Sequence, residues 1–217
     1  MNPRVFRAYD IRGVADNDLP DDVVRAIGLA IGEAAYDGPG PIVVGRDCRL
    51  SSPRIFAALT DGIRVTDDVV DIGIVPTPVA YFAQQHWRPA ATVMITGSHN
   101  PADDNGLKIM IGEQTLHGDV IAAIGRRAAE LITQPKRPPW WTISARSVSE
   151  AYIARAVAEL RLGPRRPKVV VDAGNGAGGP TAVALYAELG FDVVPLYCDF
   201  DGRFPHHHPD PTQPENL

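Results

Sequence analysis

The sequence predicts an α/β protein with a mixed or mostly parallel sheet, because short strand-like runs alternate with helix-like segments. Hydrophobic residues make up 45% and charged residues 22% of the chain, which is typical of a soluble globular protein and excludes disorder. A length of 217 residues fits one large domain, or one whole domain and part of another.

Charge, cysteine number and apolar runs exclude several classes of protein. A net charge of −5 gives no basic footprint for nucleic acid. Cys48 and Cys198 are the only cysteines, too few for a disulfide scaffold or a thiolate zinc site. The N-terminal residues carry no apolar signal-peptide region, and no apolar run approaches the ~20 residues that span a bilayer. We therefore expect a cytoplasmic protein without nucleic acid or membrane partners.

The first half of the chain contains the clearest elements. Apolar residues recur at helical spacing from Asp21 until Gly38. A short buried strand follows at 42–44, and then Ser51-Ser52-Pro53 is expected to supply the hydroxyl cap of a helix that has the proline at its first position. Further predicted strands lie at 69–75, 91–96 and 107–111, with helices at 77–87 and 119–132.

A proline-rich stretch, 134–139, breaks this alternation and predicts a linker. We place the first domain at 1–142 and an incomplete second domain at 143–217. The second contains a helix at 149–162 and one βαβ unit between 168 and 197, which needs further strands to bury both faces of its sheet.

The loop from Thr96 to Pro101 is the most informative motif. A strand delivers it, Gly97 permits a sharp turn, and Pro101 fixes the exit. Ser98, flanked by His99 and followed by Lys108, is placed for phosphoryl or acyl chemistry. The G-x-S-x-G elbow of many acyl-transfer enzymes is missing. Taken alone, the same residues are more typical of a polar turn between two strands.

Other motifs each allow two interpretations. Segment 6–13 contains two arginines and a tyrosine that would suit a phosphorylated ligand, or an Asp10–Arg12 ion pair that holds a loop. Segment 45–49 is an ion-pair corner or the edge of a site. The glycines of 174–179 match the dinucleotide fingerprint, but tight strand–helix packing explains them equally well. Acidic residues at 199–201 and histidines at 206–208 are weak metal candidates.

Together these motifs resemble the α-D-phosphohexomutase superfamily, and most closely its bacterial phosphomannomutase/phosphoglucomutase branch. The matching segments occur in the family order and spread over nearly the whole chain: 6–13, 45–51, 75–78, 96–101, 105–109, 170–176 and 204–211.

The resemblance implies a three-layer α/β/α domain with a mixed sheet, followed by an incomplete second domain of similar type. It implies a phosphohexomutase that interconverts the 1- and 6-phosphates of mannose or glucose through a phosphoserine at Ser98 and a bisphosphorylated intermediate. Lys108 and Arg12 would supply acid/base chemistry and charge stabilisation, His99 would orient the phosphoserine, and Tyr9 would contact the substrate.

The resemblance also implies cofactors. Mg²⁺ would be held by the phosphate on Ser98 and by carboxylates of a later D-G-D-x-D-R loop, which this sequence does not contain. Glucose 1,6-bisphosphate or mannose 1,6-bisphosphate would be the activator, and the partners would be a phosphosugar and the missing C-terminal domains. We therefore expect this chain alone to be inactive. The alternatives are a stand-alone phosphosugar-binding or interaction domain, or a dinucleotide-binding protein.

Overall fold

The computed structural model describes residues 1–216, which form a first unit (residues 1–145) and a second unit (residues 149–216). Alternating apolar strands and amphipathic helices build both. The strands are β1 Ile11–Val14, β2 Ile42–Arg46, β3 Val69–Ile74, β4 Ala91–Ile95, β5 Asp104–Ile111, β6 Gln114–Thr115, β7 Ile143–Ala145, β8 Lys168–Asp172 and β9 Asp192–Leu196. The helices are α1 Ala15–Asp18, α2 Asp21–Ala35, α3 Ser52–Ile63, α4 Thr77–Trp87, α5 Asp119–Ile132, α6 Ser149–Glu159 and α7 Gly179–Glu188.

The first unit is a seven-stranded sheet in the order β1-β5-β4-β2-β3-β7, with β6 paired to β5. Parallel pairs join β4, β2, β3 and β7, whereas β1, β5 and β6 run antiparallel. The sequence pattern did not predict β1 or β7 as strands, because each is too short to show a period. Since β7 pairs with β3, the first sheet extends beyond residue 142, and the predicted domain boundary there stays a prediction.

Both faces of this sheet are buried, which confirms the predicted α/β/α layering with a mixed sheet. Along β2, Ile42 and Val44 join a core that α2, α3 and α5 cover. The intervening Val43 points to the opposite face and joins a smaller core formed with α4. Alternation along a strand thus supplies each face with its own apolar layer.

The second unit is much more open. Strands β8 and β9 form a two-stranded parallel sheet, and α7 connects them. Helix α6 buries none of its residues, and Val170 of β8 is 62% exposed. Among the described residues, this small sheet therefore has no cover comparable to that of the first unit.

Helix α3 begins differently from the prediction. Ser51 precedes it, but its side chain makes no capping hydrogen bond, and Pro53 occupies the second helical position rather than the first. Ser51 Oγ instead accepts a hydrogen bond from Asn105 Nδ2 at 2.9 Å. Ser52 Oγ donates to Asp47 Oδ1 at 2.6 Å. The two hydroxyls thus tie the start of the helix to strand β5 and to the segment after β2, and not to its own backbone.

Candidate active site

The site forms where two parallel strands end side by side. Strands β2 and β4 are neighbours, so the segments that follow them leave the sheet at the same edge. The amide of Asp47, just after β2, donates to the carbonyl of Ile95 at the end of β4 at 2.8 Å. This geometry brings the predicted serine loop against the 45–49 corner.

Ser98 lies exposed at the start of the loop after β4. Its φ of 57° is left-handed, and its amide donates to Thr96 Oγ1 at 2.9 Å. The Ser98 hydroxyl lies 3.4 Å from Nδ1 of the exposed His99. A conformation that serine rarely adopts is thus held by local hydrogen bonds, and strain of this kind is typical of functional loops.

Arg49 fixes the loop from beneath. Its side chain is completely buried and pairs with Asp47, Nε to Oδ2 at 3.1 Å. Its guanidinium also donates to the backbone carbonyls of four loop residues: Ser98 at 2.9 Å, Asn100 at 2.8 Å, Asp104 at 3.1 Å, and Pro101. A buried cation that satisfies its donors in this way makes the loop rigid. The 45–49 segment is therefore both an ion-pair corner and the floor of the site.

Gly97 is the point where the loop passes closest to Arg49. A Cβ at this position would lie 2.5 Å from Cζ of Arg49 and 2.8 Å from the Asp104 carbonyl oxygen. The Gly97 amide donates to Asp47 Oδ2 at 3.2 Å. Close approach to a buried guanidinium therefore requires glycine beside the serine.

Arg12 and Lys108 lie beside the serine loop, on the antiparallel pair of strands β1 and β5. Arg12 on β1 lies opposite Gly106 of β5, and Ile11 lies opposite Leu107. Ile11 and Leu107 point into the core, so Arg12 and Lys108 share the other face. Arg12 Nη1 donates to Asn100 Oδ1 in the serine loop at 2.7 Å. The two predicted cations are thus brought to one side of the sheet.

Asp10, which the sequence suggested only as an ion-pair partner of Arg12, joins both cations. Its Oδ2 accepts from Arg12 Nη2 at 2.6 Å and from Lys108 Nζ at 3.4 Å. Burial and, secondly, the charge of Asp10 raise the pKa of Tyr81 on α4. Tyr9, by contrast, is 76% exposed on the turn before β1.

The second unit closes the other side of the cleft. Asp47, Met94 and Ser98 from the first unit and Gly176 and Phe204 from the second line a cavity of about 180 Å³. The Phe204 ring lies 5.3 Å from Cζ of Arg49, so the residue that fixes the serine loop also contacts the second unit.

Two further contacts dock the units beside this cavity. A Cβ on Gly202 would lie 2.4 Å from the Cys48 carbonyl oxygen, so the two backbones touch. Cys48 Sγ donates to the Asn175 carbonyl at 3.3 Å. Burial, and next the charge of Asp47, raises the pKa of the Cys48 thiol to about 11. A thiol that stays protonated at neutral pH is a contact and not a nucleophile.

The glycine turn of the second unit has a packing explanation. A Cβ on Gly179, the first residue of α7, would lie 2.4 Å from the Cys198 carbonyl oxygen. Gly174 has a φ of 49°, and the His207 ring lies over it. His207 Nε2 in turn pairs with Asp172 Oδ1 at 3.1 Å. Close packing thus accounts for glycines that also match a dinucleotide fingerprint.

Metal-binding geometry is missing from the described part of the chain. Within residues 1–216, no three His, Cys, Asp or Glu side chains lie together in an arrangement that holds a metal ion. Asp201 instead forms an ion pair with Arg203 at 2.5 Å, and His206 stacks on Tyr197 at 3.7 Å between ring centroids. None of the helices in these residues is long and apolar enough to cross a membrane.

An exposed hydroxyl on a rigid loop, with two cations on the neighbouring strands, suits chemistry on a phosphate, because guanidinium and ammonium groups stabilise its charge. Of the predicted site residues, Ser98 and His99 lie in the serine loop, and Arg12 contacts that loop through Asn100. Lys108 is joined to Arg12 through Asp10, while Tyr9 is exposed. Sequence reasoning missed Arg49 and Asp10 as organising groups. In the sequence, only their place in the short charged motifs pointed to them: Asp10 lies two residues from Arg12, and Arg49 lies two residues from Asp47.

Comparison with known proteins places these features in a family. The family model described as phosphoglucomutase/phosphomannomutase, alpha/beta/alpha domain I, matches residues 3–134, and that of domain II matches residues 150–217. A phosphomannomutase/phosphoglucomutase of Pseudomonas putida is 42% identical over 215 residues, which cover 98% of this chain and 46% of that protein. A phosphoglucomutase of Neisseria gonorrhoeae is 41% identical over 220 residues with the same coverage.

A solved structure shows the same likeness in three dimensions. The phosphoglucomutase/phosphomannomutase family protein from Burkholderia thailandensis superposes with a TM-score of 0.91 and 41% identity, covering 100% of this chain and 49% of that one. The chain thus spans about half the length of the curated relatives that it matches.

Proposed function

Since this chain belongs to the phosphoglucomutase/phosphomannomutase family, we propose that Ser98 carries the phosphoryl group of a hexose phosphate mutase. In this reaction the complete protein interconverts the 1- and 6-phosphates of mannose or glucose through a bisphosphorylated intermediate. The observation that carries the proposal is the exposed Ser98 hydroxyl on a loop that the buried Arg49 fixes at several backbone carbonyls. We place the protein in the cytoplasm as part of the same proposal.

The proposed roles follow from charge and position. Phosphoryl transfer depends mainly on alignment and on stabilising the charge that develops on the phosphoryl oxygens. Arg12 supplies a fixed positive charge, and Lys108 exchanges a proton with the reacting sugar hydroxyl. His99, with Nδ1 3.4 Å from Ser98 Oγ, orients the phosphate, and the exposed Tyr9 contacts the sugar.

The proposal includes Mg²⁺ only as an ion that the phosphorylated Ser98 would help to hold. Mg²⁺, when bound, would neutralise phosphate charge, with the phosphate on Ser98 as its ligand from this chain. The side chains of residues 1–216 do not themselves provide a metal-binding cluster, so they do not fit a magnesium site on their own. Glucose 1,6-bisphosphate or mannose 1,6-bisphosphate would phosphorylate Ser98 to start the cycle.

We further propose that residues 1–217 alone do not catalyse the conversion of hexose phosphates. The cavity at Ser98 has a volume of about 180 Å³, below the roughly 300 Å³ at which small-molecule pockets begin. Sugar hydroxyls and the distal phosphate would then be poorly held. Lost alignment removes roughly 7–11 kcal/mol of barrier lowering. Glucose 1-phosphate conversion by the purified chain, free of host mutase, should stay near background.

The phosphate-carrier proposal is tested by mass spectrometry. The complete protein is incubated with glucose 1,6-bisphosphate, and its intact mass and phosphopeptides are measured. We expect one phosphoryl group on Ser98 and none in Ser98→Ala. Ser147→Ala is the matched control, because Ser147 is an exposed loop serine away from the cleft, and it should label normally. Undiminished labelling of Ser98→Ala would rule out the proposed carrier.

A further inference from the structure

One carboxylate oxygen in the cleft serves two cations. Asp10 Oδ2 accepts hydrogen bonds from Arg12 Nη2 at 2.6 Å and from Lys108 Nζ at 3.4 Å. The side chains of Asp10 and Arg12 are only 12% and 11% exposed, so water screens this pair weakly. An exposed ion pair contributes little to stability, whereas this pair is largely shielded from water.

The strand register explains why these groups meet. Ile11 lies opposite Leu107, so the preceding residue, Asp10, comes level with Lys108. Arg12 is two residues further along β1 and therefore faces the same side as Asp10. The other face of the pair belongs to the core, which leaves the three charged side chains no alternative direction.

Hydrogen bonds continue from this cluster to the phosphate carrier. Arg12 Nη1 donates to Asn100 Oδ1 at 2.7 Å, and Asn100 Nδ2 donates to Asp104 Oδ2 at 2.7 Å. The Asn100 amide donates to the Gly97 carbonyl at 3.1 Å, next to Ser98. A displacement of Asp10 would thus be felt both at Lys108 and at the serine loop.

We propose that Asp10 is a positioning residue that holds Lys108 and Arg12 in one fixed arrangement facing Ser98. Without its carboxylate the two like charges repel each other, and the flexible Lys108 side chain has no anchor. Asp10 touches neither substrate nor reacting atoms in this role, because its Oδ2 is occupied by both cations. The inference rests on the proposed mutase function.

The test is a double-mutant cycle in the complete protein, with glucose 1-phosphate as substrate and Mg²⁺ and glucose 1,6-bisphosphate added. Asp10→Asn should lower kcat by roughly tenfold or more and change KM by less than about threefold. In a Lys108→Met background the same substitution should cost less than about twofold, because the group that it positions is gone. Asp10→Glu, which keeps the carboxylate, should recover part of kcat.

The control is Asp61→Asn, which breaks the Arg25–Asp61 ion pair between α2 and α3 and should leave kcat unchanged. An active wild-type protein whose Asp10→Asn variant keeps full kcat would overturn this inference alone. Equal losses with and without Lys108 would also overturn it, since they indicate a general structural effect. So would Asp10→Glu that is no better than Asp10→Asn. Absence of turnover in the wild-type protein would overturn the mutase function, and this inference with it.

Discussion

Arg49 shows how a single buried charge organises the site. An arginine in the interior is tolerated only when its donors are satisfied, and here they point to Asp47 and to loop carbonyls. The Arg49 guanidinium therefore supplies hydrogen-bond donors to loop carbonyls that have no strand partner. A rigid loop of this kind is what the proposed phosphoryl transfer at Ser98 requires.

Gly97→Ala should destabilise the protein by about 1–3 kcal/mol, because its Cβ would collide with the Arg49 guanidinium, which cannot move without breaking several hydrogen bonds. Urea unfolding measures the effect. Gly178→Ala is the control, since Gly178 has a φ of −77° and no heavy atom within 4 Å of an added Cβ. Equal stability of the two variants would contradict the packing argument.

Lys108→Met should reduce kcat of the complete protein by at least roughly a hundredfold while KM changes little, since proton transfer acts after substrate binding. Steady-state kinetics with glucose 1-phosphate separate the two parameters. A raised KM at unchanged kcat would show that Lys108 only binds substrate. The variant should keep the wild-type melting temperature, because the side chain lies partly exposed at the cleft.

At the scale of elements, the β8–α7 turn is held by a histidine latch. His207 Nε2 contacts the Asp172 carboxylate at the end of β8, and Nδ1 contacts the His208 carbonyl at 2.8 Å. The hydrogen bond to the His208 carbonyl, followed by the one to Asp172, raises the pKa of His207. Asp172 Oδ1 also accepts from the Gly174 amide at 2.9 Å, so the latch fixes the glycine turn.

The raised pKa predicts how this latch responds to pH. A folded pKa above the unfolded value of ~6.5 gives a stabilisation that is complete below pH 6.5 and lost as pH rises through the folded pKa. Opening of the turn, measured by hydrogen exchange of its amides after correction for intrinsic rates, should become easier as pH rises from 6.5 through the folded pKa. The pH effect should vanish in His207→Gln and persist in His208→Gln, and a persistent effect in His207→Gln would refute it.

At the scale of the whole molecule, the two units differ in how much apolar surface they bury. The first unit has an apolar core on each face of its sheet, whereas α6 buries no residue, β8 alternates between exposed and half-buried positions, and β9 is exposed except at Val193. Local stability follows such burial. The contacts at Cys48 and Gly202 therefore join a unit with little buried apolar surface to one with a large apolar core.

Hydrogen exchange of the intact chain should reveal this difference. Amides in β2 and β4 should be protected up to the global free energy of unfolding, and those in β8, β9 and α6 should exchange through opening at a lower free energy. Mass spectrometry of peptic peptides resolves the two sets. Uniform protection of both units would contradict the inferred hierarchy.

The sequence determined much of this protein through local patterns. Apolar residues at helical spacing after Asp21 predicted α2, and short apolar runs predicted β2, β3 and β4. These predictions succeed because the spacing of buried residues along the chain follows the period of the helix or strand. Gly97 and Pro101 predicted the turn that carries Ser98, because glycine permits a sharp turn and proline fixes the exit of the loop. Order and spacing of the motifs were enough to indicate the family, which the comparisons then confirmed.

Only the tertiary structure decided which distant residues act together. Strands β1 and β7 are too short to show a period, so pairing with β5 and β3 and not local pattern makes them strands. Arg49 is buried because the serine loop folds over it, and Asp10 meets Lys108 because the antiparallel register brings them level, 98 positions apart in the chain. Such contacts arise from where strands lie in the sheet, and no neighbouring residue encodes that position.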